Sequence, residues 1–187
     1  MAHAADSPPV VAEEFREYIA KIHGALGSRD PMEVLRETPA LIRRAAGGLS
    51  PEQIATPERP GKWSVRHVLR HLADAELVGA FRYRMILAHD RPELPAYDQD
   101  LWAHRLRYEE SDPEESIALF VAVRRANLGL ISRATPQERA RAMRHPERGD
   151  ETLEAMATLY AGHDIVHRRQ IARIRAAIGA PPSGDAV

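Results

Sequence analysis

The 187-residue chain has no cysteine, and only two of its 26 basic residues, Lys21 and Lys62, are lysines. Without cysteine it can form neither a disulfide nor a thiolate metal site, so a metal would have to bind through His, Asp or Glu. With a net charge of −1, the chain also lacks the basic excess that nonspecific binding to nucleic acid or anionic lipid requires. We therefore expect neither nucleic acid nor a membrane as a partner.

Other sequence signals are missing as well. No stretch approaches the roughly 20 apolar residues of a membrane span, and MAHAADSPPVVAEEF lacks the charged start and apolar run of a secretory signal. These absences predict a cytoplasmic protein. The chain has no phosphate-binding Gly-rich loop, no G-x-S-x-G and no H-E-x-x-H, which excludes the enzyme classes that depend on them.

Apolar residues recur every three to four positions in five segments, which predicts an all-α protein. Asp30 and Asp112 each precede a proline and are typical N-cap residues, and Gly179 is a typical helix end. No segment alternates with period two, so we expect no sheet. One domain over 11–180 is predicted, with disordered ends at 1–10 and 181–187. The five predicted helices span 11–26, 31–46, 64–88, 113–134 and 150–179.

The connection over 91–111 is long for a compact helical domain. It contains three aromatic residues, Tyr97, Trp102 and Tyr108. These can pack over the mouth of the helical bundle and cover a site, or they can anchor an ordinary surface loop by burying their rings. The sequence supports both interpretations equally.

His163 and His167 lie four residues apart in the predicted final helix. Side chains at this spacing share one helix face, so the two imidazoles can point at one atom. A third imidazole from another helix would leave the fourth position of a tetrahedral site open, as in catalytic zinc sites. His71 is the preferred third ligand. His67 is the alternative, and four bound imidazoles would close the site and favour a structural role.

Two acidic residues near these histidines are candidates for a supporting or catalytic role. Asp74, three residues after His71, can orient an imidazole by accepting its N–H, or it can be an exposed helix charge. Asp164 lies in the apolar register of the final helix. A carboxylate buried there needs a metal, an ion pair or a hydrogen-bonded network.

Three further residues are candidates for substrate binding. Arg82 and Arg124 can pair with a substrate carboxylate or phosphate, although an internal ion pair with Asp74 or Asp164 is an equal alternative. Gln170, seven residues after His163, can line the same cavity as a hydrogen-bonding group. Its alternative is simple exposure to solvent.

Three segments of the chain resemble the DinB/YfiT-like family: GKWSVRHVLRHLADAE, PAYDQDLWA and HPERGDETLEAMATLYAGHDIVHRRQI. The resemblance covers roughly 31–178. It implies a four-helix bundle with an additional N-terminal helix, a homodimer, and a zinc or nickel ion held by His71, His163 and His167. The family also implies chemistry that uses low-molecular-weight thiols.

We therefore expect a metal-dependent enzyme acting on a small-molecule substrate, with thiol-dependent S-transfer as the leading activity. A bound metal lowers the pKa of a thiol or of water. Activated water would instead suit hydrolysis of a small amide or ester, for which Asp74, Asp164 and Glu76 are the candidate general bases. A noncatalytic metal-binding module for stress response is the alternative outside enzymology.

Overall fold

The computed structural model describes residues 13–183. The expected disordered segment 1–10, the start of the first helix at residue 11 and the tail from 184 lie outside the described residues. Residues 181–183 have no regular secondary structure. In the described part of the chain, no helix combines the length and apolar character needed to cross a bilayer. The helices are α1 Glu13–Leu26, α2 Pro31–Ala46, α3 Pro51–Ala55, α4 Val65–Ala88, α5 Gln99–Arg105, α6 Pro113–Arg133, α7 Pro136–Arg139 and α8 Leu153–Ala177.

The four long helices α2, α4, α6 and α8 form a four-helix bundle. Helix α4 packs against α6 and α8, and α2 packs against the same two helices from the other side. The additional N-terminal helix α1 lies along α8. This arrangement confirms the predicted all-α bundle with an extra N-terminal helix.

Helix starts follow from local capping. Asp30 accepts a hydrogen bond from the Met32 backbone N–H at 2.9 Å, and Asp112 accepts one from Glu114 at 2.7 Å. A proline follows each cap, at a position where the missing N–H has no helical partner. The start of α4 differs, because Ser64 makes no side-chain cap bond to the helix backbone.

Two groups of buried apolar side chains form the core. The first joins α2, α4 and α8 near the hairpin and includes Leu35, Ile86, Met143, Leu153 and Met156. The second joins all four bundle helices and includes Ile42, Leu69, Leu72, Phe120 and Ile171. Burial of such side chains contributes about 1.5 to 3 kcal/mol each, which makes this packing the main source of stability.

Glycine allows α1 to approach α8 closely. A Cβ at Gly162 would lie 2.4 Å from the backbone oxygen of Ile22, so no larger residue fits without moving the helix. Ile22 is itself buried in this contact. The approach brings α1 residues beside the histidines of α8, where they line the cavities described below.

The prediction that no sheet would form is wrong. Strand β1, Ala142–His145, pairs antiparallel with β2, Gly149–Thr152, and the hairpin delays the start of α8 from the expected 150 to Leu153. Each strand has only four residues, and β2, with the sequence GDET, has no apolar residue. A period-two pattern cannot be recognised in so short a segment. Along β1, Met143 and His145 point inward.

The connection over 91–111 contains more structure than expected. It includes α5 and a 3₁₀ turn at Tyr108–Glu110. Its first part is held to the hairpin by two backbone hydrogen bonds, in which Leu94 N–H donates to the Arg144 oxygen and Arg144 N–H donates to the Pro92 oxygen. Both interpretations of its aromatic residues apply in part, because Tyr97 lines a cavity while Tyr108 is fully buried and anchors the connection to α4.

Candidate metal centre

Three histidines from two helices converge inside the bundle. His71 projects from α4, and His163 and His167 project from α8. One ring nitrogen of each lies within 4.8 Å of the others, and the Nε2 atoms of His71 and His163 are 3.0 Å apart. His71 is 1% exposed and His167 is 7% exposed. The two-helix arrangement expected from the sequence is therefore present.

The imidazoles suit a divalent cation. Burial lowers the pKa of His71 and His163 well below the usual range, with the neighbouring imidazoles adding to the effect, and lowers that of His167 to about 4. Neutral rings keep a lone pair for a metal. At about 2.1 Å from a tetrahedral zinc, ligand nitrogens lie roughly 3.4 Å apart, close to the observed spacing of two of them. The donor set therefore fits zinc or a similar ion.

A hydrogen bond fixes the proton of His167. Its Nδ1 lies 2.8 Å from the side-chain oxygen of Gln170, which can only accept. Nδ1 therefore carries the proton, and the Nε2 lone pair is left for a metal. Gln170 was expected to bind substrate, and the structure places it against this ligand, next to the smaller of two cavities.

We expect Gln170→Leu to weaken metal binding. Without an acceptor at Nδ1, the His167 ring loses both its fixed orientation and its preferred tautomer, a loss that typically costs about 10- to 100-fold in affinity. Competition with a chromophoric chelator would measure the change. Gln170→Glu, which retains an acceptor, should bind zinc as well as the wild type; an equal loss in both variants would contradict this role.

Two other expected neighbours of the metal are engaged elsewhere. The Nδ1 atom of His67 lies 2.9 Å from the Ser64 hydroxyl, and among the described residues His67 is not part of the cluster. Asp74 accepts a hydrogen bond from Tyr108 at 2.7 Å and pairs with Arg70 at 3.0 Å. It makes no hydrogen bond to His71, whose Nδ1 is buried without a partner among the described residues.

A buried ion network lies next to the cluster. The guanidinium of Arg124 contacts Asp164 at 2.6 Å and Glu76 at 2.7 Å, and all three side chains are almost fully buried. Asn127 donates to the second oxygen of Glu76 at 2.7 Å. Burial opposes the charge on Arg124, but the two carboxylates outweigh it and raise the arginine's pKa. Arg124 thus makes the internal pair that the sequence allowed.

A cavity of about 560 Å³ opens onto His163. Apolar and aromatic side chains from α1, α8 and the 91–111 connection form much of its wall: Tyr18, Ile22, Tyr97, Leu159 and Tyr160. Arg82 reaches it from α4 and donates to the Pro95 backbone oxygen at 2.9 Å. Of the residues expected to bind substrate, Arg82 is the one that lines this cavity.

His145 also lines the cavity, and sequence analysis did not identify it. It is 1% exposed, and burial, followed by Arg148 and Arg82, lowers its pKa to about 3. It lies at the end of β1, so its position depends on the hairpin that was not predicted. The sequence feature that could have pointed to His145 is its position as an isolated histidine just before the turn that precedes the final helix.

A second cavity of about 340 Å³ opens onto His167. Its wall carries three basic side chains, Lys21, Arg169 and Arg173. Tyr18 and Gln99 line both cavities. The metal-binding cluster thus has a larger, mostly apolar cavity on the His163 side and a smaller, basic one on the His167 side.

Comparison with known proteins gives consistent results. The family model of the DinB superfamily matches residues 35–171. YfiT of Bacillus subtilis, named as a candidate metal-dependent hydrolase, is 30% identical over 149 residues, which cover 79% of this chain and 84% of YfiT. A relative in Bacillus licheniformis with the same kind of name is 34% identical over 143 residues, or 76% of this chain and 80% of the relative.

The fold has a counterpart among solved structures. That of Bacillus subtilis YfiT matches with a TM-score of 0.76 and 26% sequence identity, covering 95% of each chain. It is described as a candidate metal-dependent hydrolase with an unusual four-helix bundle topology. The similarity therefore extends over nearly the whole bundle.

Proposed function

Because the chain belongs to the DinB superfamily, we propose that it is a metal-dependent enzyme in which His71, His163 and His167 hold a zinc or nickel ion. The observation that carries this proposal is the convergence of three imidazoles, two buried and one half-buried, beside a cavity. Three protein ligands leave a fourth tetrahedral position, which is typical of catalytic zinc sites. When bound, such an ion acts as a Lewis acid and lowers the pKa of a thiol or of water.

The protein's own groups prepare this site in four ways. Gln170 fixes the tautomer of His167, and burial keeps the imidazoles neutral. The apolar and aromatic side chains around His163 lower the polarity of its surroundings, which strengthens electrostatic interactions there. Arg82 provides positive charge in the same cavity.

We place thiol-dependent S-transfer first among the possible reactions. Hydrolysis commonly needs a general base near the metal, and the three expected bases are occupied: Asp74 by Arg70 and Tyr108, and Asp164 and Glu76 by Arg124. None of the three is among the residues that line the two cavities. A metal-activated thiol is already a nucleophile and does not need such a base.

The two cavities also favour a reaction with two substrates. One reaches His163 and the other His167, so a thiol and an electrophile would each have a cavity of its own beside the metal-binding cluster. Arg173 pairs with Glu58 at 2.6 Å. The other two basic residues of the smaller cavity, Lys21 and Arg169, suit an anionic low-molecular-weight thiol. The larger cavity then remains for the electrophile.

Hydrolysis of a small amide or ester is the second candidate. The names of the relatives favour it, since YfiT and the Bacillus licheniformis protein are both named as metal-dependent hydrolases. In that reaction the candidate base is Glu147, because it lines the larger cavity and, unlike Asp98, caps no helix. A homodimer and a cytoplasmic location complete the proposal, on the strength of the family resemblance and the sequence composition.

Activity assays with the metal-loaded protein discriminate between these functions. We would load the chain with zinc and, separately, nickel, and supply bacterial low-molecular-weight thiols such as glutathione and cysteine with 1-chloro-2,4-dinitrobenzene. A panel of aryl esters and amides without thiol forms the second arm. Each arm includes a chelator control and the metal-ligand variant His167→Ala.

Turnover that requires both thiol and metal, and that is lost in His167→Ala, is the expected result. Hydrolysis of the panel without thiol would reject the transferase and establish the hydrolase. Tight metal binding without turnover in either arm would support a noncatalytic metal-binding module. Failure to bind zinc or nickel at all would overturn the proposal.

A further inference from the structure

Two N–H groups meet in the wall of the larger cavity, one from His145 and one from Arg82, whose NH2 nitrogen also donates to the Pro95 backbone oxygen at 2.9 Å. The backbone N–H of Glu147 donates to Nδ1 of His145 at 3.2 Å, so Nδ1 is an acceptor and the ring proton lies on Nε2. That Nε2 is 3.4 Å from NH2 of Arg82. Since a guanidinium nitrogen can only donate, the contact joins two donors and is not a hydrogen bond.

A donor pair of this kind is complementary to an anionic oxygen. Arg82 is 4% exposed and His145 is 1% exposed, so both are held in place by the surrounding protein. We propose that Arg82 and His145 form a carboxylate-binding subsite in the larger cavity. This inference rests on the proposed function, because it assigns the subsite to the electrophilic substrate, which is therefore a small carboxylic acid.

The rest of the cavity agrees with this assignment. Arg148 also lines the wall, where its guanidinium is paired with Glu151. Of the two acidic residues there, Asp98 is already used, because it accepts the first backbone N–H groups of α5 at 2.9 Å. The aromatic and aliphatic wall between the donor pair and His163 suits an apolar body of the ligand, with its carboxylate at one end and its reacting centre toward the metal site.

Binding of defined probes tests the subsite without any assumption about the reaction. We would titrate zinc-loaded protein with 3-phenylpropanoate, with its neutral amide and with phenyl phosphate, using calorimetry. The carboxylate is expected to bind at least about 10-fold more tightly than the amide, since a charge-assisted hydrogen bond replaces a neutral one. Equal affinities of acid and amide would overturn the proposal. Tighter binding of phenyl phosphate would overturn the choice of carboxylate.

Variants of the two donors locate the binding site. Arg82→Gln is expected to weaken 3-phenylpropanoate binding about 10- to 100-fold and to weaken amide binding much less. His145→Leu, which removes the N–H, should weaken carboxylate binding about 10-fold, whereas His145→Gln, which keeps a donor, should retain most of it. If Arg82→Gln does not fold, Arg82→Lys replaces it. We expect its affinity for 3-phenylpropanoate to lie between the wild-type value and that expected for Arg82→Gln. Wild-type affinity in folded Arg82 and His145→Leu variants would refute the subsite.

The metal ion is the competing site for a carboxylate. In His167→Ala, which removes a metal ligand, binding at Arg82 and His145 should persist at close to wild-type affinity. Loss of carboxylate binding in that variant would mean that the probe binds the ion, and would overturn the subsite. Because this readout is binding, it is independent of turnover, and the proposed activity can fail while the subsite stands.

Discussion

Replacing either His71 or His167 by alanine is expected to remove the metal from the protein. Loss of a group that only orients a ligand already costs about 10- to 100-fold in metal affinity, so loss of a ligand should cost more than about 100-fold. Bound metal stabilises the folded state by about 4 kcal/mol at a free concentration 1,000-fold above Kd. Elemental analysis and thermal melting of zinc-reconstituted protein should therefore both show the loss.

His67→Ala is the matched control for this prediction. His67 lies one turn before His71 on the same helix, but its Nδ1 contacts Ser64. The variant should retain full metal content and a zinc-dependent melting temperature. Loss of metal on His67→Ala would indicate a closed site with four imidazoles, and wild-type metal content in both ligand variants would contradict the assignment of the three histidines.

Arg124→Met should destabilise the protein by about 3 to 5 kcal/mol, because it leaves two carboxylates buried without a counter-charge. Asp164 and Glu76 now lie 2.6 and 2.7 Å from the guanidinium. Urea unfolding of metal-free protein would measure the loss separately from any effect on the neighbouring metal ligands. A decrease of less than about 1 kcal/mol in the free energy of unfolding would contradict this prediction.

The control for Arg124 removes the whole network. In the triple variant Glu76→Leu, Arg124→Met and Asp164→Leu no charge remains to be compensated, and replacing a buried ion network by apolar groups is often neutral or stabilising. The triple variant should therefore recover most of the lost stability. If it is as unstable as Arg124→Met, the loss comes from packing and not from unpaired charge.

The pH dependence of Arg124→Met provides a second check. Burial raises the pKa of Asp164, and Arg124 opposes that rise. Without the guanidinium, the folded carboxyl keeps its proton to higher pH than the unfolded one, so acid favours the folded state. The penalty relative to wild type should therefore shrink as the pH is lowered from neutrality. The triple variant lacks these carboxyls and should not show this shrinkage.

Much of the scaffold could be predicted because its signals are local. The caps at Asp30 and Asp112 set the starts of two helices, which run over Pro31–Ala46 and Pro113–Arg133 against the predicted 31–46 and 113–134. Spacing within one helix also placed His163 and His167 on a common face. In each case, the residues that decide the outcome lie within one or two turns of one another.

The polar partners of the site could not be predicted in the same way. Asp74 was expected to orient His71, but it contacts Tyr108, 34 positions away. From the sequence, Asp74 and Asp164 were both possible ion-pair partners of Arg124. The pair that forms, with Asp164, joins residues 40 positions apart. Which of several carboxylates faces a given cation depends on helix rotation and packing, which helical periodicity does not determine.

The amino-acid sequence by itself determined the long helices and the shared face of His163 and His167, because hydrophobic period, capping and i,i+4 spacing are properties of short segments. The bundle class and the choice of His71 came from the family resemblance. Tertiary packing decided which charges pair, where the two cavities open and how His145 comes to face Arg82 across 63 positions. That last contact requires a hairpin of four-residue strands to fold against α4, and its geometry arises only when distant segments bury their surfaces together.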